Sequence, residues 1–199
     1  MKNSLIILGC LMAGILGGAS GFLPPLLLHP DAAMYVLCAL LFLVGIEVGA
    51  NPRVWEIIRS QNARILLVPL SAILGTLLGV GLFSWATPGV GFKESLAVGS
   101  GFGYYSLASV LIGQMGGKTL GVVALLSNMM RELATLLAAP LMARHFGRLA
   151  PIVSGGATSM DTTLPIITKS VGPEYALVAV VSGTVLTLLA PVFITVILR

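Results

Sequence analysis

The sequence predicts an all-α polytopic membrane protein with about five full transmembrane helices and two broken or re-entrant helical segments arranged as an inverted repeat. Three observations lead there. Of the 199 residues 57% are hydrophobic and 9% charged, with a mean hydropathy of +1.03, whereas a soluble domain carries about 25% charged residues. Apolar runs fill 4–28, 33–50, 65–86, 94–115, 119–143, 151–168 and 174–198, with short polar links such as Asn51-Pro52-Arg53 between them; a helix crossing the hydrocarbon core needs ~20 apolar residues. Two runs, the fourth and sixth, are interrupted by glycine, proline and hydroxyl residues that weaken a continuous helix. The chain reads as one integral membrane transporter domain, with three spans in 1–92, the first broken segment and a span in 93–143, and the second broken segment and a span in 150–199.

Run one follows Lys2 and could be read as a signal peptide with small residues at Ala19-Ser20-Gly21, but it is long for that role and more spans follow. We read it as the first span, its Gly14, Gly17, Gly18 and Gly21 suiting close helix contact. Run two carries Glu47, which is expected to reach the interface beside Arg53. Cys10 and Cys38 lie within apolar runs and indicate neither a disulfide framework nor a metal site. Run three reads as an ordinary span.

Run four contains Gly99-Ser100-Gly101-Phe102-Gly103-Tyr104-Tyr105-Ser106, and run six contains Gly155-Gly156-Ala157-Thr158-Ser159-Met160-Asp161-Thr162-Thr163-Leu164-Pro165. Placing Tyr105 over Asp161 puts Ser106 over Thr162, Gly116 over Gly172 and Lys118 over Glu174. Each broken run is then followed by a full span with an Ala-Pro step, Ala139-Pro140 and Ala190-Pro191. Paired interrupted segments in two repeats point to a transporter's binding site. Arg53, Arg59 and Arg64 follow run two, and Arg144 and Arg148 follow run five; basic clusters favour the cytoplasmic face. Both clusters face one side if runs four and six dip in and return, which sets the N-terminus inside and the C-terminus outside. Lys93, Lys118 and Lys169 mark segment ends.

Run five holds Ser127, Asn128, Arg131, Glu132 and Thr135 at helical spacing, a polar stripe on one face. A charge at the bilayer centre costs at least ~2.5 kcal/mol, so such residues are functional candidates by default. The plainer reading of Arg131 is an ion pair that orders the bundle. Asp161 sits at the second break among Thr158, Ser159, Thr162 and Thr163; its desolvation would raise its pKa and allow proton exchange, while its plainer role is helix capping. The half-helix N-termini at the two breaks would meet a substrate carboxylate. The candidate substrate-binding or proton-coupling set is therefore Glu132, Asp161, Arg131, Asn128, Ser100, Gly101, Gly103, Tyr105, Ser106, Thr158, Ser159 and Thr162. Tyr104 and Tyr105 suit either pocket walls or packing.

Several classes are disfavoured. The two histidines, His29 and His145, lie in links, so no Ser-His pair is evident at depth, and Asp161 is the one aspartate in an apolar run, so an aspartyl dyad lacks its partner. No phosphate-cradling glycine loop with its lysine occurs. The net charge of +4 is scattered between apolar runs rather than gathered in a patch, which points away from nucleic acid. No catalytic residue, metal or cofactor is expected.

At Ser100-Gly101-Phe102-Gly103-Tyr104-Tyr105-Ser106, Arg131-Glu132-Leu133 and Gly155 through Pro165 the sequence resembles the bacterial lysine exporter family (LysO-like), and the resemblance extends to Leu41-Phe42-Leu43-Val44-Gly45-Ile46. It implies a multi-pass exporter of L-lysine or related cationic amino acids in the bacterial inner membrane. The carboxylates matching Glu132 and Asp161 are then central, with protons as the coupling ion. Single-chain members carry further N-terminal spans, the chain matching their C-terminal two-thirds, so a homo-oligomer or a second membrane subunit is expected. The alternatives are an oligomeric channel, with flux insensitive to pH, and a structural membrane subunit.

Overall fold

The computed structural model describes residues 63–86 and 89–199, together with helical positions 16, 17, 20, 35, 39, 42 and 46. The expectations for runs one and two as spans, for Lys2, Cys10, Cys38 and Glu47, and for the first arginine cluster lie outside the described residues. The chain divides into two compact units, Met1–Leu40 and Leu41–Arg199, and the second contains every helix with described bounds.

All regular structure among the described residues is helical. A 3-10 turn at Ala63–Leu66 leads into α1 (Leu67–Phe83), which ends in a second turn at Ser84–Ala86. Then come α2 (Phe92–Gly99), α3 (Tyr105–Met115) and the long α4 (Lys118–Phe146). The short α5 (Ala150–Gly155) runs into a 3-10 stretch, Gly156–Met160, before α6 (Leu164–Val171), and α7 (Ala176–Leu198) closes the chain. Among the described residues, three stretches are long and apolar enough to cross a membrane: Leu67–Ala86, Lys118–Phe146 and Pro173–Leu198. They correspond to runs three, five and seven.

The sequence explains where the short helices start and stop. The Gly91 amide donates to the Glu94 carboxylate at 2.9 Å, which fixes the first turn of α2. Pro151 and Pro165 sit in the first turns of α5 and α6, where a missing amide hydrogen leaves no bond unmade. Runs four and six therefore each become two short α-helices around a break in the α-helix, in run six partly a 3-10 turn.

Each broken run turns back on itself. Gly81, near the end of α1, faces the Phe92 ring at the start of α2, while Gly99 at the end of α2 lies against Val80 and Thr76; α2 thus runs back along α1 and stops part-way. After the break, α3 runs out again, since Gly113 lies against Gly121 of α4 across the Gly116-Gly117 turn. The second hairpin is closed at its root by Arg148, before α5, whose guanidinium lies 3.6 Å from the Glu174 carboxylate, after α6, and 5.9 Å over the Tyr175 ring. This hairpin is rooted at the other end of α1: Ile152, Ile167 and Val171 form one buried cluster with Val68, from the start of α1, and Ala179. Two helical hairpins thus approach from opposite ends of α1, packed against α4 and α7.

Candidate functional site

The two breaks meet. The Ala157 amide of the second break donates to the Phe102 carbonyl of the first at 2.8 Å. Phe102 is the described non-glycine residue with positive φ, +48°, its side chain is fully buried, and its ring meets Phe193 of α7 edge-on at 5.6 Å. A left-handed phenylalanine persists only where its surroundings over-determine it. Gly156, at φ +63°, faces the same carbonyl so closely that a Cβ would collide with it. The meeting point is therefore backbone against backbone, which only a residue without a side chain allows.

The stripe on α4 holds both breaks. Asn128 accepts from the Gly103 amide at 2.8 Å and donates to the Val98 and Ala124 carbonyls at 3.1 and 2.9 Å. All of its amide's main capacity is thus engaged, buried, on the first break. One turn on, Arg131 donates to the Ser154 and Val153 carbonyls at 2.8 and 3.0 Å and to the Thr76 hydroxyl at 2.9 Å. These carbonyls lie at the C-terminal end of α5, where the helix presents partial negative charge. Arg131 therefore orders the bundle as its plainer reading anticipated, but among the described residues it does so through carbonyls and a hydroxyl rather than through a carboxylate. Thr135 adds a 2.7 Å contact to the Ser154 hydroxyl.

The sequence-derived candidates separate into two groups. Seven hold the structure. Asn128 and Arg131 have been described; the Ser100 hydroxyl donates back to Leu96 at 2.8 Å. Gly101 packs so tightly that a Cβ would come within 2.7 Å of the Asn128 amide, and Gly103 supplies the amide Asn128 binds. The Thr158 hydroxyl donates to the Gly155 carbonyl at 2.8 Å, and that of Ser159 to Gly156 and, at 2.9 Å, to Ala179 of α7.

The other five remain open. Tyr105 is half-buried and Ser106 exposed at the start of α3, and Asp161 and Thr162 are exposed just before α6. Asp161 binds the Thr162 amide and hydroxyl and lies within electrostatic reach of Tyr104 in the other break. Glu132 is half-buried, and among the described residues no hydrogen bond or ion pair engages its carboxylate. Sequence reasoning missed Thr76 and Ser154, the partners of the α4 stripe. A hydroxyl beside Gly75 in an otherwise apolar run was the available signal for Thr76.

Opposed broken hairpins meeting between long apolar helices, with Glu132 and Asp161 on the elements that form them, define a multi-pass membrane protein of the broken-helix architecture used by transporters. The profile of a family described as lysine exporter LysO matches residues 8–198, and the chain belongs to that family. It is 34% identical over 193 residues to lysine exporter LysO of Escherichia coli K12, covering 96% of this chain and 63% of the relative. It is also 34% identical over 189 residues to a protein provisionally named a lysine exporter in Haemophilus influenzae, covering 92% and 94% of the two chains. The chain thus spans under two-thirds of the length of the first relative and nearly all of the second. No solved structure matches significantly.

Proposed function

We propose that the chain is a secondary transporter that exports L-lysine or a related cationic amino acid across the bacterial inner membrane in exchange for protons. The observation that carries this reading is Glu132: in a stripe whose neighbours Asn128, Arg131 and Thr135 are committed to the two breaks, its carboxylate has no partner among the described residues. A carboxylate at that depth holds either a proton or a substrate ammonium group. Asp161, exposed at the second break, offers a second such position. Because one carboxylate cannot hold both occupants, release of protons is tied to capture of substrate, which is antiport.

In this reading the five-span count and the inverted repeat complete the architecture, with Tyr105 and Ser106 standing in the first break where Asp161 and Thr162 stand in the second. Arg144 and Arg148, at the root of the second hairpin, mark the cytoplasmic side. The C-terminus is then outside and the N-terminus inside.

Lysine flux in proteoliposomes with and without an imposed pH gradient tests the proposal. Acceleration by a gradient that drives protons against lysine is expected. Flux that ignores the gradient would contradict antiport and favour a passive pore.

A further inference from the structure

We infer that the α-carboxylate of the amino-acid substrate is held by Arg131 in the open cleft between α1, α4 and α5. The inference rests on the lysine reading and adds the anion subsite to it. The cleft has a volume of about 380 Å³ and is lined by Ala72, Gly75, Thr76, Gly79, Arg131 and Ser154 among others. Ligand sites commonly occupy ~300–1,000 Å³ and combine apolar walls with a few polar groups. Arg131 is the charged group in this lining.

The hydrogen bonds already made leave room for a ligand. A guanidinium has five N–H donors. Among the described residues Nε binds Ser154, Nη1 binds Thr76 and Nη2 binds Val153, so one donor remains on each terminal nitrogen. A carboxylate, with two acceptor oxygens, is the complement of such a pair. Fixing by Thr76 and α5 holds the guanidinium in place before a ligand arrives, which reduces the ordering cost of binding.

Of the two breaks whose half-helix N-termini the sequence offered for this carboxylate, the second carries an acid. At the second break the Asp161 carboxylate takes the Thr162 amide itself, and its negative charge would repel a substrate carboxylate. The cation lining the cleft then takes the anion, and the ammonium groups go to Asp161 and Glu132. Small residues on α1 keep the cleft open, since a Cβ at Gly75 or Gly79 would meet nothing within 4 Å.

The test compares equilibrium binding of lysine and of cadaverine, the same diamine without the carboxylate, to the full chain in detergent. Wild type is expected to prefer lysine about tenfold or more, the equivalent of one charge-assisted contact. Gly79→Leu puts a side chain into the cleft from a position where a Cβ meets nothing within 4 Å; it should bring lysine down to the cadaverine level and leave cadaverine unchanged. Arg131→Gln, checked for folding, should do the same. Equal wild-type binding of the two ligands overturns the subsite while leaving the lysine reading intact. Equal weakening of both by Gly79→Leu also overturns it, showing that the cleft serves helix docking. Binding of neither ligand by wild type removes the lysine reading and the inference with it.

Discussion

The two breaks perform one structural task by different chemistry. The first is held by a neutral side-chain amide, Asn128, carries no ionisable group but its tyrosines, and stores a left-handed Phe102 under an aromatic contact. The second is held by a cation, Arg131, on the carbonyl end of α5, and places Asp161 at its exposed edge. A neutral amide can be fully satisfied by backbone and then has nothing further to offer. A guanidinium with more donors than its described carbonyl and hydroxyl partners use retains capacity for a ligand. The first break thus reads as the rigid abutment and the second as the responsive half.

The contact between the breaks should be the most sensitive point. Gly156→Ala combines an unfavourable backbone region with a collision against the Phe102 carbonyl, and should destabilise the protein by about 3 kcal/mol or more. Thermal unfolding in detergent measures this; an unchanged midpoint would mean that the breaks separate without penalty. Arg131→Met strips two α5 carbonyls of their donor and should cost about 3 kcal/mol, more than the loss at the first break. There, Asn128→Ala should cost about 2 kcal/mol, and Asn128→Asp more than alanine, because a carboxylate would face the Val98 and Ala124 carbonyls with no hydrogen to donate. Asn128→Asp tolerated better than Asn128→Ala would show that the break relaxes around its holder. At the small end, Arg148→Ala removes an exposed pair with Glu174 and should change stability by about 0.5 kcal/mol or less, an effect that vanishes in high salt.

Much of this was legible in the sequence because the bilayer penalises irregularity. Gly99 to Ser106 and Gly155 to Pro165 had to be breaks. The α4 stripe was legible from spacing alone, which placed Asn128, Arg131, Glu132 and Thr135 on one side. What spacing could not separate is holder from open group: Ser100, Thr158 and Ser159 looked like pocket hydroxyls but donate to carbonyls within reach along or across the chain. That distinction depends on how close backbones approach, which Gly101 and Gly156 permit and sequence periodicity does not encode. The carbonyl partners of Arg131 were hidden for the same reason, since every residue carries one and none is marked in the sequence.

The most direct test of the division between holding and working groups is to measure unfolding and gradient-driven lysine flux together for Glu132→Gln. An unengaged carboxylate that works in exchange predicts a midpoint within error of wild type and loss of gradient-driven flux. Full flux in the folded variant would contradict the account.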